Sequence, residues 1–120
     1  MEDKFQYLVA SKGEFMAVSF VGPLDNAAED QLANLYGEIQ NQTPRFVVLN
    51  FRDASTIERG SYRMLTIIQK LVRTDLGGEI RCCGISPLQR RELEQESVVR
   101  ANEICDNVRS ALDQFLQMRS

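Results

Sequence analysis

Histidine is absent from this chain of 120 residues. Its absence removes the commonest general base, the Ser-His and Cys-His nucleophile pairs, and every metal site that needs a histidine ligand. Only thiols and scattered carboxylates remain for catalysis, so we expect no enzymatic activity and no catalytic residues. Neither G-x-G-x-x-G nor C-x-x-C occurs, so the usual cradles for nucleotide phosphates and for zinc are missing as well. The sequence therefore predicts no cofactor and no metal site.

The chain also lacks an excess of basic residues and a long apolar run. Lys and Arg number 14 against 17 Asp and Glu, a formal net charge of -3, so there is no positive field to attract nucleic acid or anionic lipid. No uninterrupted run reaches the roughly 18 apolar residues of a membrane span, and no signal peptide follows the acidic start. We expect a cytoplasmic protein that binds no nucleic acid and does not insert directly into a membrane.

Cysteine is scarce. The three cysteines, Cys82, Cys83 and Cys105, are too few for a disulfide framework, and a bond between the adjacent pair would be strained. They lack the C-x-x-C spacing of redox and metal sites, and one of the adjacent pair must face the core from a buried strand. We interpret them as reduced thiols with a structural role.

Repeats, low-complexity segments and Pro/Gly/Ser-rich linkers are absent too, which favours a single domain over residues 1–120. Its first part alternates apolar and polar residues over 5–10, has a turn at Gly13, and continues with a second strand-like segment over 14–21. This pattern predicts a β-hairpin at the start of the domain.

A helix and a buried strand follow the predicted hairpin. Asn26 and Glu29 resemble a capping box, and an apolar stripe runs from there until Pro44 ends the helix. The nearly continuous apolar run of residues 46–51 is too short for a helix. It predicts a strand in the middle of a sheet, covered on both faces.

The second half of the chain alternates helices and strands. The predicted elements are an amphipathic helix over 64–72, a strand over 79–85, a short charged helix over 88–95, a weaker strand within 98–105, and a last helix that Asp106 caps. Strands that alternate with helices imply right-handed crossovers and a mainly parallel sheet, to which the hairpin adds an antiparallel edge. We therefore predict an α/β domain with a mixed sheet of about five strands and α-helices packed on it.

The segment 52–63 is the first place to look for a functional site, because functional groups gather at the carboxyl ends of strands in open α/β sheets. It is dense in polar residues and leads into the amphipathic helix. Arg59 and Arg63 fall in the first turn of that helix, where a cation opposes the helix macrodipole by about a few tenths of a kcal/mol. A partner carboxylate or a bound anion would explain them. The alternative is that both arginines are solvated and that Glu58 or Thr56 only caps the helix.

Six segments, taken in order, resemble the STAS domain, the module of bacterial anti-sigma factor antagonists and related regulators. They are a strand that ends in Gly-Pro-Leu-Asp at 18–25, the central strand at 46–51, Ala-Ser-Thr-Ile at 54–57, Gly-Gly-Glu-Ile at 77–80, Cys-Gly-Ile-Ser-Pro at 83–87, and Ser-Ala-Leu at 110–112. The resemblance covers most of the chain and implies a protein-binding role.

The resemblance also locates a departure from the family pattern. The family carries an Asp-Ser-Ser/Thr-Gly segment at the start of the second long helix, and a partner kinase phosphorylates the residue after the Asp. Here Glu58, Arg59, Gly60 and Ser61 occupy these four positions. The guanidinium of Arg59 cannot accept a phosphoryl group, so the usual phospho-switch is expected to be missing. The predicted partner-binding residues are Glu58, Arg59, Gly60, Ser61, Tyr62 and Arg63.

Arg59, Tyr62 and Arg63 are the candidate anchors for a protein partner, which the resemblance implies is an anti-sigma factor or a kinase-like regulator. Two alternatives stay open. Ser61 can serve as a displaced phosphoacceptor in an ordinary antagonist, or the chain can be an accessory subunit of a larger transport or signalling assembly. Homodimerisation is compatible with the sequence, and no residue pattern decides it.

Overall fold

A computed structural model describes residues 4–119 and shows an α/β fold. Over that range the backbone forms one sheet of four strands in the order β1-β2-β3-β4. The strands are β1 Gln6–Lys12, β2 Phe15–Leu24, β3 Phe46–Ile57 and β4 Glu79–Cys83. The helices are α1 Glu29–Gln42, α2 Tyr62–Lys70, which a π-helical turn Leu71–Asp75 extends, α3 Pro87–Gln95 and α4 Val108–Arg119.

Strand pairing confirms the mixed, mainly parallel sheet. The hairpin pairs β1 with β2 antiparallel, and β2–β3 and β3–β4 are both parallel pairs. β3 therefore lies inside the sheet with a hydrogen-bonded strand on each side, as its continuous apolar run predicts.

The two faces of β3 bury alternate side chains. Val47, Leu49 and Phe51 join the larger core with apolar residues of α1, α2 and α3. Phe46 and Val48 join a smaller cluster with apolar residues of α4 on the opposite face. Because strand side chains alternate between faces, one apolar strand supports a helical layer on each side of the sheet.

β3 is longer than the sequence predicts. Residues 52–57 read as a polar segment outside the sheet, yet they continue the strand and pair with the end of β2 through two irregularities in register. Backbone pairing with β2 holds this extension in the sheet. Its polar side chains are exposed: Arg52, Asp53, Ser55 and Thr56. The start of α2 is therefore fixed by a strand instead of a free loop.

The predicted fifth strand is reduced to a single bridge. Within residues 98–105, only Ile104 pairs with β4, through a parallel bridge to Cys82, and the N–H of Cys105 donates to the Cys82 carbonyl at 2.8 Å. A short 3-10 turn, Ala101–Glu103, takes up part of the remaining length. β4 itself ends at Cys83, two residues before its predicted end at residue 85.

Two helix caps differ from the predicted ones by one residue. Asp25, and not Asn26, caps the 3-10 turn before α1, since its carboxylate accepts the backbone N–H two residues ahead at 2.9 Å. Asn107, and not Asp106, accepts the N–H three residues ahead in α4 at 2.8 Å. In both cases a neighbouring side chain of similar capping strength occupies the position where the chain turns.

The three cysteines are free thiols. Cys82 and Cys83 face opposite sides of β4 and join the two different core clusters. Burial raises the pKa of the Cys83 thiol to about 11, and burial, reinforced by the Glu103 carboxylate, also raises the pKa of Cys82. Both thiols therefore stay protonated near neutral pH, which agrees with a structural role.

Candidate functional site

The segment that joins β3 to α2 forms a tight turn at the carboxyl end of the sheet. Glu58 is still extended, and its N–H donates to the Leu24 carbonyl of β2 at 2.8 Å. Arg59–Ser61 then makes a 3-10 turn, in which the Ser61 N–H donates to the Glu58 carbonyl at 2.9 Å. These bonds hold the predicted site residues in one defined conformation ahead of α2.

Ser61 points into the protein. The residue is 1% exposed, and its hydroxyl donates to the Glu58 carbonyl at 2.7 Å. The neighbouring hydroxyl of Thr56 is exposed and donates to the Glu58 carboxylate at 3.2 Å. A kinase that transfers a phosphoryl group to Ser61 would have to open the turn first, so the geometry disfavours Ser61 as an acceptor.

Gly60 sits against the start of the first helical layer. A Cβ atom at this position would collide with the Asn26 side-chain oxygen and would lie 3.0 Å from the Asn26 backbone nitrogen. The absence of a side chain lets the turn contact the segment before α1. Packing therefore accounts for Gly60, whereas its neighbours Arg59 and Tyr62 present side chains at the surface.

Arg59 makes an ion pair with an acidic residue at the end of α3. Its Nη2 lies 2.8 Å from the Glu96 Oε1, and the two side chains are 70% and 38% exposed. A carboxylate, one of the two explanations offered for this unfavourably placed cation, is thus present within the chain. An ion pair this exposed contributes at most about 1 kcal/mol, so Arg59 can exchange Glu96 for another carboxylate at low cost.

Tyr62 also makes a polar contact with α3. Burial raises the pKa of Tyr62, and a hydrogen bond to the Glu92 carboxylate raises it further. Arg63, one residue further along, is exposed, and no salt bridge within residues 4–119 involves it. The start of α2 is therefore joined to α3 by two polar contacts, with one free cation beside them.

The turn and α3 together form a shallow groove of about 270 Å³. Leu88, at the start of α3, lines this groove and is 77% exposed. We define the docking surface as the exposed side chains of the turn, α2 and α3 around the groove, together with the half-buried Tyr62. Its members are Arg59, Tyr62, Arg63, Leu88, Arg91, Glu92 and Glu96.

Sequence reasoning did not include the α3 residues in the site. The mixed charges of α3 are typical of a solvated helix face, and Leu88 and Glu96 lie 29 and 37 residues beyond Arg59 in the chain. Leu88 carries the one available signal, because it is an apolar residue among charged ones at a helix start. Its proximity to Arg59 depends on how α3 sits beside α2, which the sequence does not specify.

The docking surface offers no site for a metal. Within the described range, 4–119, no three His, Cys, Asp or Glu side chains are placed to hold one. No helix in this range is both long enough and apolar enough to cross a membrane.

A family model described as the STAS domain matches residues 6–111 of the chain. The chain belongs to the STAS domain family. A comparison with curated protein sequences found no match.

Several solved structures share this fold at low sequence identity. A variant of RsbS from Moorella thermoacetica has a TM-score of 0.80 and 16% identity, over 94% of this chain and 97% of that chain. An anti-sigma factor antagonist from Mycobacterium paratuberculosis has a TM-score of 0.79 and 15% identity, over 95% of this chain and 97% of that chain. A chain of the stressosome, described as a signal integration and transduction hub, has a TM-score of 0.71 and 16% identity, over 93% of this chain and 98% of that chain. The STAS chain is thus similar in fold to anti-sigma factor antagonists.

Proposed function

We propose that this STAS domain is a non-catalytic docking module, which binds a regulatory protein through the docking surface without the usual serine phospho-switch. The partner we propose is an anti-sigma factor or a kinase-like regulator, as for the antagonists that the domain resembles. One observation carries the proposal. The turn that replaces the family's phosphorylation motif exposes Arg59 and buries its own hydroxyl, Ser61.

The composition of the docking surface suits a protein partner. Arg and Tyr are enriched among the residues that dominate interface energies, and an exposed leucine beside them supplies apolar area. Leu88 lines the groove together with Arg59 and Glu92. An acidic group on the partner can take the Arg59 guanidinium from Glu96, while an apolar side chain of the partner covers Leu88. We therefore expect a small mixed interface with Arg59 as its main anchor.

A cytoplasmic location accords with this role. All three cysteines remain free thiols, which is the state expected of cysteines in a reducing compartment.

Replacing Arg59 by glutamate tests the proposal. The change puts a like charge against Glu96 and against an acidic partner group, so we expect recovery of the native partner to fall about tenfold or more. The melting temperature should change little, since the exposed Arg59–Glu96 pair contributes at most about 1 kcal/mol. The measurement is affinity purification of the tagged full chain from its native host, with quantitative mass spectrometry of the copurified proteins.

Arg109→Glu is the matched control. Arg109 is also an exposed arginine, at 87% against 70% for Arg59, and its acidic neighbour Asp113 lies at 3.8 Å. It lies on α4, a helix that contributes nothing to the docking surface. Partner recovery should survive this change. Equal recovery with Arg59→Glu and the unaltered chain would contradict the docking proposal.

The same purification tests the phospho-switch. Because Ser61 is buried and its hydroxyl is already bonded, we expect phosphopeptide mapping of the native chain to find Ser61 unmodified. Ser61→Ala should then leave partner recovery unchanged and lower the free energy of unfolding by about 1 kcal/mol through the lost hydrogen bond. Phosphate on Ser61 in the purified chain would contradict this proposal and support the alternative of an antagonist that is phosphorylated on Ser61.

A second candidate function is that of a subunit in a larger signalling assembly. The fold likeness to a stressosome chain favours this candidate. Size-exclusion chromatography of the native complex separates the two functions, because a regulator bound to one partner elutes much later than a large assembly.

A further inference from the structure

A second groove, of about 500 Å³, lies between α2 with its π-helical extension and the segment around the end of α3. It shares no residue with the docking surface. Most of the side chains that line it are cations or hydroxyls. They are Thr66, Lys70, Arg73, Thr74, Ser97 and Arg100.

The positive charge of this groove is only partly compensated. Arg73 is bound to Glu103, with its Nε donating to the Glu103 Oε2 at 2.9 Å. Lys70 and Arg100 are exposed, and neither forms a salt bridge within residues 4–119. Glu94 also lines the groove, but it is paired with Arg90 on α3 at 3.6 Å. Two cations therefore face the groove without a salt-bridge partner of their own in the described residues, which is an arrangement that attracts an anion.

The hydroxyl groups that line the groove also lack hydrogen-bond partners among the described residues. None of the side chains of Thr66, Thr74 and Ser97 makes a hydrogen bond within the described part of the chain. A hydroxyl can donate to a phosphate oxygen, and Lys and Arg side chains make the stronger charge-assisted hydrogen bonds to it. Cations and free hydroxyls that converge on one groove match the donors that a phosphate group needs.

Ser97 is the least expected member of the groove. It has a φ of +58° and follows the C-cap residue Glu96 at the end of α3. Glycine is the usual residue at this left-handed position, because any side chain strains the backbone there. Stability alone would select glycine, whereas serine keeps a hydroxyl at the groove.

We propose that this groove binds a small phosphate-bearing molecule, with Lys70 and Arg100 as the charged ligands of the phosphate and Ser97 as a hydroxyl donor. The groove, of about 500 Å³, has room for more than one phosphate ion, so it can hold a phosphate that is carried on a larger body. The hydroxyls of that body can donate to the Glu94 carboxylate.

Calorimetric titration of the isolated full chain with pyrophosphate, in a phosphate-free buffer of low salt, tests the site. We expect saturable binding of one pyrophosphate per chain, and weaker binding of citrate, an anion without phosphate. Lys70→Gln and Arg100→Gln should each weaken binding about tenfold, since each removes a charge-assisted hydrogen bond. Lys12→Gln, which removes an exposed cation on β1, a strand that contributes no residue to the groove, should leave the affinity unchanged.

Ser97→Gly separates ligand binding from folding. It should weaken pyrophosphate binding several-fold and leave the melting temperature unchanged or higher, because glycine relieves the strain at this position. Three results would overturn the proposal: no saturable binding, equal binding of citrate, or an affinity unaffected by both Lys70→Gln and Arg100→Gln. An unchanged affinity in Ser97→Gly would overturn the role of its hydroxyl. No partner protein is present in the titration, so the outcome is independent of docking.

Discussion

Glu103→Ala is expected to lower the free energy of unfolding by about 3–5 kcal/mol, the range seen when one partner of a buried ion pair is removed. Glu103 and Arg73 have side chains that are only 10% and 18% exposed. The Arg73 Nε donates to both carboxylate oxygens, at 3.1 and 2.9 Å. Without Glu103, the guanidinium of Arg73 would stay largely out of water with no opposite charge. Urea denaturation measured by circular dichroism gives the change directly.

The ion pair is part of a wider buried network. Gln69 is fully buried, and its amide nitrogen donates to the carbonyls of Leu65 at 3.2 Å and of Val98 at 2.7 Å. The Gln69 oxygen in turn accepts from Arg73 at 2.9 Å. The network ties α2 to the segment after α3, where β-sheet pairing is reduced to a single bridge. Loss of Glu103 therefore loosens a region that the sheet does not hold.

Two further variants check this account of Glu103. Glu14→Ala removes a carboxylate from surface ion pairs with Arg45 and Arg119, and at 41% exposure it should cost about 1 kcal/mol or less. The double replacement Arg73→Met with Glu103→Leu should recover much of the stability lost in Glu103→Ala, because it leaves no unpaired charge. A loss in Glu103→Ala no larger than in Glu14→Ala would show that the pair is effectively solvated.

Local patterns in the sequence predicted the framework of this domain. The apolar run at 46–51 placed β3 inside the sheet, and the stripe that contains Leu32, Leu35 and Ile39 correctly identified the buried face of α1. In both cases a whole layer of the structure buries the apolar side chains, and such burial leaves a regular pattern of apolar residues in the sequence. The polar extension of β3 escaped prediction because its backbone pairs with β2, and no side-chain pattern marks such pairing at an exposed end of a sheet.

For the candidate site, the sequence pointed to the segment that carries Arg59 but not to the contacts that this residue makes. A partner carboxylate was one of the explanations left open for Arg59, but Glu96 is 37 residues away and reaches it only through the placement of α3. Ser61 and Thr56 are both hydroxyl residues of the same polar segment, and only the fold shows that Ser61 is buried while Thr56 is exposed. Contacts of this kind depend on tertiary packing and leave no local signal.

Gly84→Ala is expected to cost about 3–5 kcal/mol, because two penalties coincide at this residue. Gly84 follows β4 with a φ of +76°, which disfavours any side chain. A Cβ there would also collide with the backbone nitrogen of Arg52 in β3 and would lie 2.8 Å from the Arg52 Cα. The same nitrogen donates to the Asn50 side chain at 3.0 Å. Urea denaturation again measures the loss.

Gly77→Ala isolates the conformational part of this penalty. Gly77 has a φ of +63°, similar to that of Gly84, but a Cβ atom there would meet nothing within 4 Å. Its replacement should therefore cost only about 1–2 kcal/mol, the price of a left-handed residue with a side chain. The excess loss in Gly84→Ala then measures the close approach of the chain after β4 to Arg52, near the middle of β3. Equal losses in the two variants would mean that the two backbones are not in contact at Gly84.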